Sequence, residues 1–273
     1  MFRMAMIVAA LGFAFTQPAS AAPKSNPLQD GETWESLRHD VFGDRPIADG
    51  GGWLTVEAPY RAEDAAIVPV TIRQDADAPH RVTALHLIVD ENPAPVAATF
   101  TFGPAMPTLD FHTRVRVDQY SNVRAIAETE AGELFMAGRF VKASGGCSAP
   151  SLKDAEAAMA HIGKLKVRYF PTSDAKPKRS GELREAQVMM RHPNYSGLQM
   201  NQVTQLFIPA HFVDALEVHQ GDELVFRMEA GISISEDPVF RFHYRDNGAE
   251  AFTVKASDTD GEVYEGSFAK SGS

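Results

Sequence analysis

The sequence predicts an all-β protein made of two immunoglobulin-like β-sandwich domains joined by a short helix and linker. Three observations predict it. Apolar and polar residues alternate with a period of two from Trp53 to Ala143, and again from Leu183 to Phe268. Turns bearing Gly, Pro and Asp interrupt both stretches at short intervals, as in sandwiches of short strands. Between them lie one helical signal and one polar linker. The paired cysteines of antibody domains are missing, so the expectation concerns architecture alone.

The chain opens with Met1-Phe2-Arg3, an apolar run from Met4 to Phe15, and the small-x-small pattern Ala19-Ser20-Ala21. That is the plan of a secretory signal peptide over residues 1–21, cleaved near Ala21, with the mature chain beginning near Ala22. The run is short for a bilayer span and no second long one follows, so export to the periplasm is expected, with no membrane span after cleavage. Formal net charge is −10, and −11 once Arg3 leaves with the peptide. An acidic chain without a Lys/Arg run excludes nucleic acid and anionic membranes as expected partners.

After a polar lead, Thr33 to Arg38 predicts a brief helix stopped by Gly43 and Pro46. Gly50-Gly51-Gly52 lacks the following Lys-Ser/Thr of a phosphate loop and leads into a strand at Trp53. Strands are expected at Ile67–Ile72, Val82–Val89, Leu109–Val117, Val123–Ala127 and Leu134–Val141. In Leu109–Val117 the alternation is strict, which predicts one face on the core and one in water. These elements complete a first domain over residues 22–150. Ser151 and Asp154 form a capping-box pattern, and Leu152, Ala155, Ala158, Met159 and Ile162 line one helical face as far as Gly163. The helix and linker are assigned to residues 151–181, with Lys164–Phe170 as a further strand or the close of the first domain. The second sandwich, residues 182–273, has strands at Val213–Val218, Glu223–Met228, Val239–Arg245, Ala251–Ala256 and Val263–Phe268. Asp258-Thr259-Asp260-Gly261 marks a hairpin before the last of them.

Cys147 is the only cysteine, set in Ser144-Gly145-Gly146-Cys147-Ser148-Ala149-Pro150. An exported chain with one thiol cannot use it for an internal disulfide. No apolar periodicity surrounds it, and two glycines precede it, so the expectation is a solvent-accessible thiol on a flexible loop, with Gly145 and Gly146 as hinge. The capped helix that follows favours a thiolate only if the loop folds back onto it. A nucleophile role requires a histidine base, for which His112, His161 and His192 are candidates. His192, His211, His219 and His243 lie on different elements without zinc-site spacing, so neither metal nor cofactor is expected. Gly-x-Ser-x-Gly is absent, and Glu128 with Glu130 reads as a solvated strand face.

Val141-Lys142-Ala143-Ser144-Gly145-Gly146-Cys147 at the end of a β-sandwich resembles SoxY, the sulfur-carrier subunit of the periplasmic thiosulfate-oxidising Sox system. Met190-Arg191-His192-Pro193 with Ser196-Gly197, then Ile208-Pro209-Ala210-His211-Phe212, then Gly231-Ile232-Ser233 before Asp237-Pro238, resemble SoxZ, its partner. The arrangement is similar to fused SoxYZ-like carriers associated with quinoprotein (PQQ-dependent) dehydrogenases. In SoxY a Gly-Gly-Cys-Gly-Gly arm ends the chain; here Ser148-Ala149 replace the trailing glycines and a second domain follows. The resemblance implies a carrier and not an enzyme. Cys147 is then the covalent attachment point for a sulfur species or another thiol-reactive group. Its expected partners are periplasmic Sox-type enzymes or a quinoprotein dehydrogenase system, with the two halves paired to each other. A different reading makes the chain a non-covalent accessory or assembly protein for such a dehydrogenase, with Cys147 incidental. A third makes it a cysteine-dependent enzyme.

Overall fold

A computed structural model describes residues 26–29, 31–150, 160–170 and 181–270. The expected signal peptide, most of the expected second helix and the linker lie outside the described residues. What is described is all-β apart from α1 (Glu32–Phe42), which starts at Gly31 and stops at Gly43, where φ is +61°. That left-handed residue is the C-terminal stop the sequence predicts.

The strands are β1 (Ile47–Asp49), β2 (Leu54–Glu57), β3 (Val68–Gln74), β4 (Val82–Val89), β5 (Val96–Phe102), β6 (Asp110–Val115), β7 (Ser121–Thr129) and β8 (Leu134–Val141), then β9 (Leu165–Phe170), β10 (Leu183–Met190), β11 (Val213–Gln220), β12 (Glu223–Ala230), β13 (Val239–Arg245), β14 (Ala251–Asp258) and β15 (Val263–Ala269). Most coincide with the expected runs. β1 and β5 were not expected: β1 is three residues long, and β5 carries Ala97-Ala98 after Pro93 and Pro95, a weak strand signal. β9 does not close the first sandwich. It pairs antiparallel with β10 in the second.

Among the described residues the strands form two sheets, ordered β1-β8-β7-β4-β5-β12-β11-β14-β15 and β2-β3-β6-β13-β10-β9. Each sheet runs through both halves of the chain. In the larger, β5 pairs with β12 from Ala98↔Ala230 to Phe102↔Phe226. In the smaller, Phe111↔Phe242 and His112↔Arg241 join β6 to β13. The two immunoglobulin-like sandwiches therefore meet edge to edge in both layers, which pairs backbone groups that each half alone would leave open.

One hydrophobic core fills the space between the layers and crosses the seam, from Val56, Val70 and Leu87 to Leu216, Phe240 and Phe252. Its centre is aromatic. Phe111 of β6 packs against Phe100, Phe226, Phe240 and Phe242, with ring centroids 4.8 to 6.3 Å apart. A smaller cluster lies on the outer face of the larger sheet, where Trp34 and Phe42 of α1 cover Ile88, Ile126 and Leu134. That is why β7 is buried without interruption from Ser121 to Ala127.

Candidate functional site

Cys147 lies where the end of the first sandwich meets the loops of the second. The expectation of an exposed thiol is overturned: its accessibility is 0 %. The loop is fastened from both sides. Gly145, at φ +78°, donates its N–H to the Asp118 carbonyl at 2.7 Å, and the Cys147 N–H donates to Asp118 Oδ1 at 3.1 Å. Gly146 donates to the Val117 carbonyl at 3.1 Å. A Cβ on Gly146 would fall 2.1 Å from the Ala65 carbonyl oxygen and 2.6 Å from that of Val117. Gly145 is thus required by its dihedral and Gly146 by close backbone approach, so here the pair seats the loop. The sequence-level reading missed this because the residues that enclose the thiol are distant in the chain.

The second sandwich supplies the cover. Ser196 Oγ donates to the Cys147 carbonyl, and Gln199 Nε2 donates to the Ala149 carbonyl at 3.0 Å. Both side chains are buried. Beneath them lies Arg116, only 1 % exposed. Strict alternation had placed Arg116 on the wet face of its strand. In the structure the segment at Ser233 and Ile234 and the loop around Asn194 close over that end, and its guanidinium is enclosed. Nη1 donates to the Gly146 carbonyl at 3.0 Å and Nη2 to the Asn194 carbonyl at 3.2 Å, while Nε has no partner. A buried cation thereby bridges the cysteine loop and the second half. Burial lowers its pKa, and the charges of Glu236 and Asp64 oppose that shift.

A polar network extends the contact. Asn92 Nδ2 donates to the Arg116 carbonyl at 2.8 Å and to Ser233 Oγ at 2.9 Å, and Asn92 Oδ1 accepts the Asp118 N–H at 2.8 Å. Asn194, at φ +44°, sends its side-chain amide to the Ser235 carbonyl at 3.1 Å. Ser196 and Ser233, from segments almost forty residues apart in sequence, therefore converge on one corner. Arg116, Asp118, Asn194 and Gln199 were not singled out as site residues. Only Arg116 carried a usable signal, as a charge flanked by Val115 and Val117 at a strand end.

Burial first, and the neighbouring Asp118 carboxylate second, push the Cys147 thiol up to about 12, against the pull of Arg116. The thiol is therefore protonated at neutral pH and no nucleophile in this arrangement. Neither His112 nor His192 serves it as a base. His112 lies between Thr71 Oγ1 at 2.9 Å and Asp110 at 3.0 Å. With His243, 3.1 Å from Asp110 on its other side, it holds that carboxyl well below the usual range despite burial. His161 is exposed in a turn.

His192, His211 and Asp258 do come together, which their separation in the sequence did not suggest; their ligand atoms lie within 4.8 Å of one another. His211 Nε2 stands 2.9 Å from Asp258 Oδ2, and Tyr264 donates its hydroxyl to the same oxygen at 2.7 Å. Burial alone would raise Asp258, but these two bonds and the Glu262 N–H hold it at about 2. Burial, and then the charge of His211, push His192 down to about 4. Two imidazoles and a carboxylate are a donor set that zinc accepts. The tautomer decides otherwise. Nδ1 of His192 accepts the Asn194 N–H at 3.0 Å, so the ring proton sits on Nε2 and faces Asp258 Oδ2 at 3.5 Å. A metal on Nε2 needs the opposite tautomer, with Nδ1 donating. Through Asn194 and Arg116 the cluster is connected to the cysteine loop.

Two family models match the chain. Residues 38–147 match the sulfur oxidation protein SoxY and residues 173–269 the sulphur oxidation protein SoxZ. Among solved structures, the sulfur carrier protein SoxY from Chlorobium limicola f thiosulfatophilum is similar over 41 % of this chain and 91 % of that one, at 26 % identity and a TM-score of 0.35. A β-glucuronidase of glycoside hydrolase family 2 is similar over 82 % of this chain and 20 % of its own, at 11 % identity and a TM-score of 0.21. No match is found among curated proteins. The SoxY match stops at Cys147 itself, and the SoxZ match spans the strands and loops that cover it. The chain belongs to the fused SoxYZ-like family.

Proposed function

We propose that this protein is a periplasmic sulfur carrier of Sox type, holding a sulfur species as a covalent adduct on Cys147 and presenting it to partner enzymes. One observation carries the reading: the SoxY match ends on the sole cysteine of the chain, at the place where that family keeps its carrier thiol. The carrier supplies a sulfur atom and recognition surfaces, and the partners supply catalysis. Loading by exchange needs no external oxidant. The thiolate attacks one sulfur of an S–S bond, a new S–S bond forms, and the other sulfur departs as a thiolate-type anion.

The buried thiol makes this a gated carrier. In the closed loop Cys147 is protonated and sealed, so loading and delivery require Ser196 and Gln199 to let go. Neutral hydrogen bonds contribute about 0.5–1.5 kcal/mol net each, so opening at this corner costs a few kcal/mol and remains thermally accessible. Export rests on the sequence of residues 1–21, and no described helix is long and apolar enough to cross a membrane.

The complete burial of Cys147 favours one rival: a non-covalent accessory protein for a periplasmic quinoprotein dehydrogenase, in which the thiol is a core residue. Intact-mass measurement of the protein taken from the periplasm separates the two. A carrier shows sulfur-containing mass increments that reduction removes and that Cys147→Ser lacks. A single unmodified mass under sulfur-oxidising conditions gives the accessory reading first place.

A further inference from the structure

The segment that covers the cysteine also carries the most exposed large hydrophobic side chain of the described residues. Between Arg191 and Asp214 there is no Asp, Glu, Lys or Arg, in a chain of formal charge −10. Within that stretch Val203 is 92 % exposed, Leu206 68 % and Phe207 65 %, with Leu198 and Met200 partly exposed beside them. The loop is built to hold this shape. Ile208 N–H closes it onto the Gln199 carbonyl at 2.8 Å, and Met200 bridges Phe207. Inside, Asn201 Oδ1 accepts the N–H groups of Val203 and Thr204 at 2.9 and 3.0 Å, and Gln205 takes a left-handed φ of +57°.

Holding apolar side chains in water is unfavourable, and a loop fixed by its own hydrogen bonds has no freedom to fold them away. Pre-ordered apolar anchors with charge excluded around them are the make-up of an interface core, since little ordering entropy remains to be lost on binding. Gln199, at the root of the loop, is hydrogen-bonded to Ala149 of the cysteine loop. Whatever acts on Cys147 has to come to this side of the molecule.

We propose that the loop from Leu198 to Phe207 is the docking surface for the enzyme that loads the sulfur species onto Cys147, an enzyme whose active-site mouth is apolar and uncharged. The proposal rests on the carrier reading above. Seating the partner on Leu206 and Phe207 places its active site beside the fastened thiol. The same contact pulls on the segment that supplies Ser196 and Gln199. Recognition and release of the cysteine then share one loop.

The test compares Cys147 adduct occupancy, by intact mass of periplasmic protein, between the natural chain and Leu206→Asp/Phe207→Asp, with Val203→Asp as a milder second variant at the loop tip. Each purified variant is first shown to unfold at the natural midpoint and to load with tetrathionate at the natural rate; in that reaction the Cys147 thiolate displaces thiosulfate. The expected result is adduct occupancy in the cell lowered about tenfold or more, the effect of one lost interface anchor. Unchanged occupancy in the folded variants overturns the docking surface while leaving the carrier standing. A natural chain that runs as a dimer, and becomes monomeric in the double variant, assigns the loop to a second copy and also overturns it. Absence of any adduct on the natural chain refutes the carrier reading, and this proposal with it.

Discussion

The two halves of the chain meet twice, and the two meetings are made of different chemistry. At the centre of the seam, Phe111 of the first half lies among Phe226, Phe240 and Phe242 of the second. At its end, the first half offers backbone carbonyls and Arg116, and the second answers with Asn194, Ser196 and Gln199. Aromatic burial is additive over area and has no alternative partner in water, so the centre is permanent. A hydrogen bond to a carbonyl exchanges with one to water at small net cost, so the end opens while the centre holds. On the proposed carrier reading, Cys147 sits at the second kind of junction: shielded when idle, and releasable without unfolding either sandwich.

Substitution at the aromatic centre breaks this comparison most severely. Phe111→Ala is expected to cost about 3–5 kcal/mol, because the ring is fully buried and its neighbours come from two sheets and both halves. Denaturant unfolding followed by far-UV circular dichroism and by tryptophan fluorescence, with Trp34 and Trp53 both in the first half, should show both signals moving together. Separate transitions would mean the halves stand on independent cores, and the seam would be a contact of convenience.

Arg116→Ala attacks the other end. Removing the guanidinium strands the carbonyls of Gly146 and Asn194, for an expected loss of about 2 kcal/mol at roughly one per unsatisfied group. Because the lost bonds fasten the cysteine loop, labelling of Cys147 by a maleimide without denaturant should speed up well beyond what the global destabilisation explains. Equal labelling rates in the two proteins would show that Arg116 braces the seam and does nothing for the loop.

The smallest effect is a pH response. An ordinary cysteine titrates near about 8.5, and Cys147 is pushed up to about 12. The folded chain therefore keeps a proton that the unfolded chain releases once pH passes the ordinary value. Bound protons in the native state exceed those in the unfolded state, so this group lowers stability as pH rises from there toward about 12. Native-state alkylation of Cys147 should accordingly lack the inflection near the ordinary thiol value that the unfolded chain shows. A clear inflection there would mean that the native chain does not hold this proton, and the pH response would be absent.

Much of the strand layout was legible because alternation is a local signal: in β3, β6, β11 and β14 the expected runs and the observed strands agree to within two residues or so. β5 escaped because Ala97 and Ala98 carry little strand preference, although their small size suits a strand buried at the seam. The sequence also made Cys147 and its two glycines conspicuous. The burial of that cysteine was not legible, since Ser196 and Gln199 lie about fifty residues away and Arg116 about thirty.

By itself, then, the sequence determined the all-β class, the SoxY and SoxZ halves and the cysteine on which any carrier role depends. Local alternation and short motifs survive in a linear reading. Tertiary structure alone decided that the sandwiches share both sheets, that Arg116 is enclosed, and that the thiol is sealed and protonated. Alternation says which face of a strand is buried but not which edge it pairs with, and edge pairing between distant strands placed the second half over the cysteine.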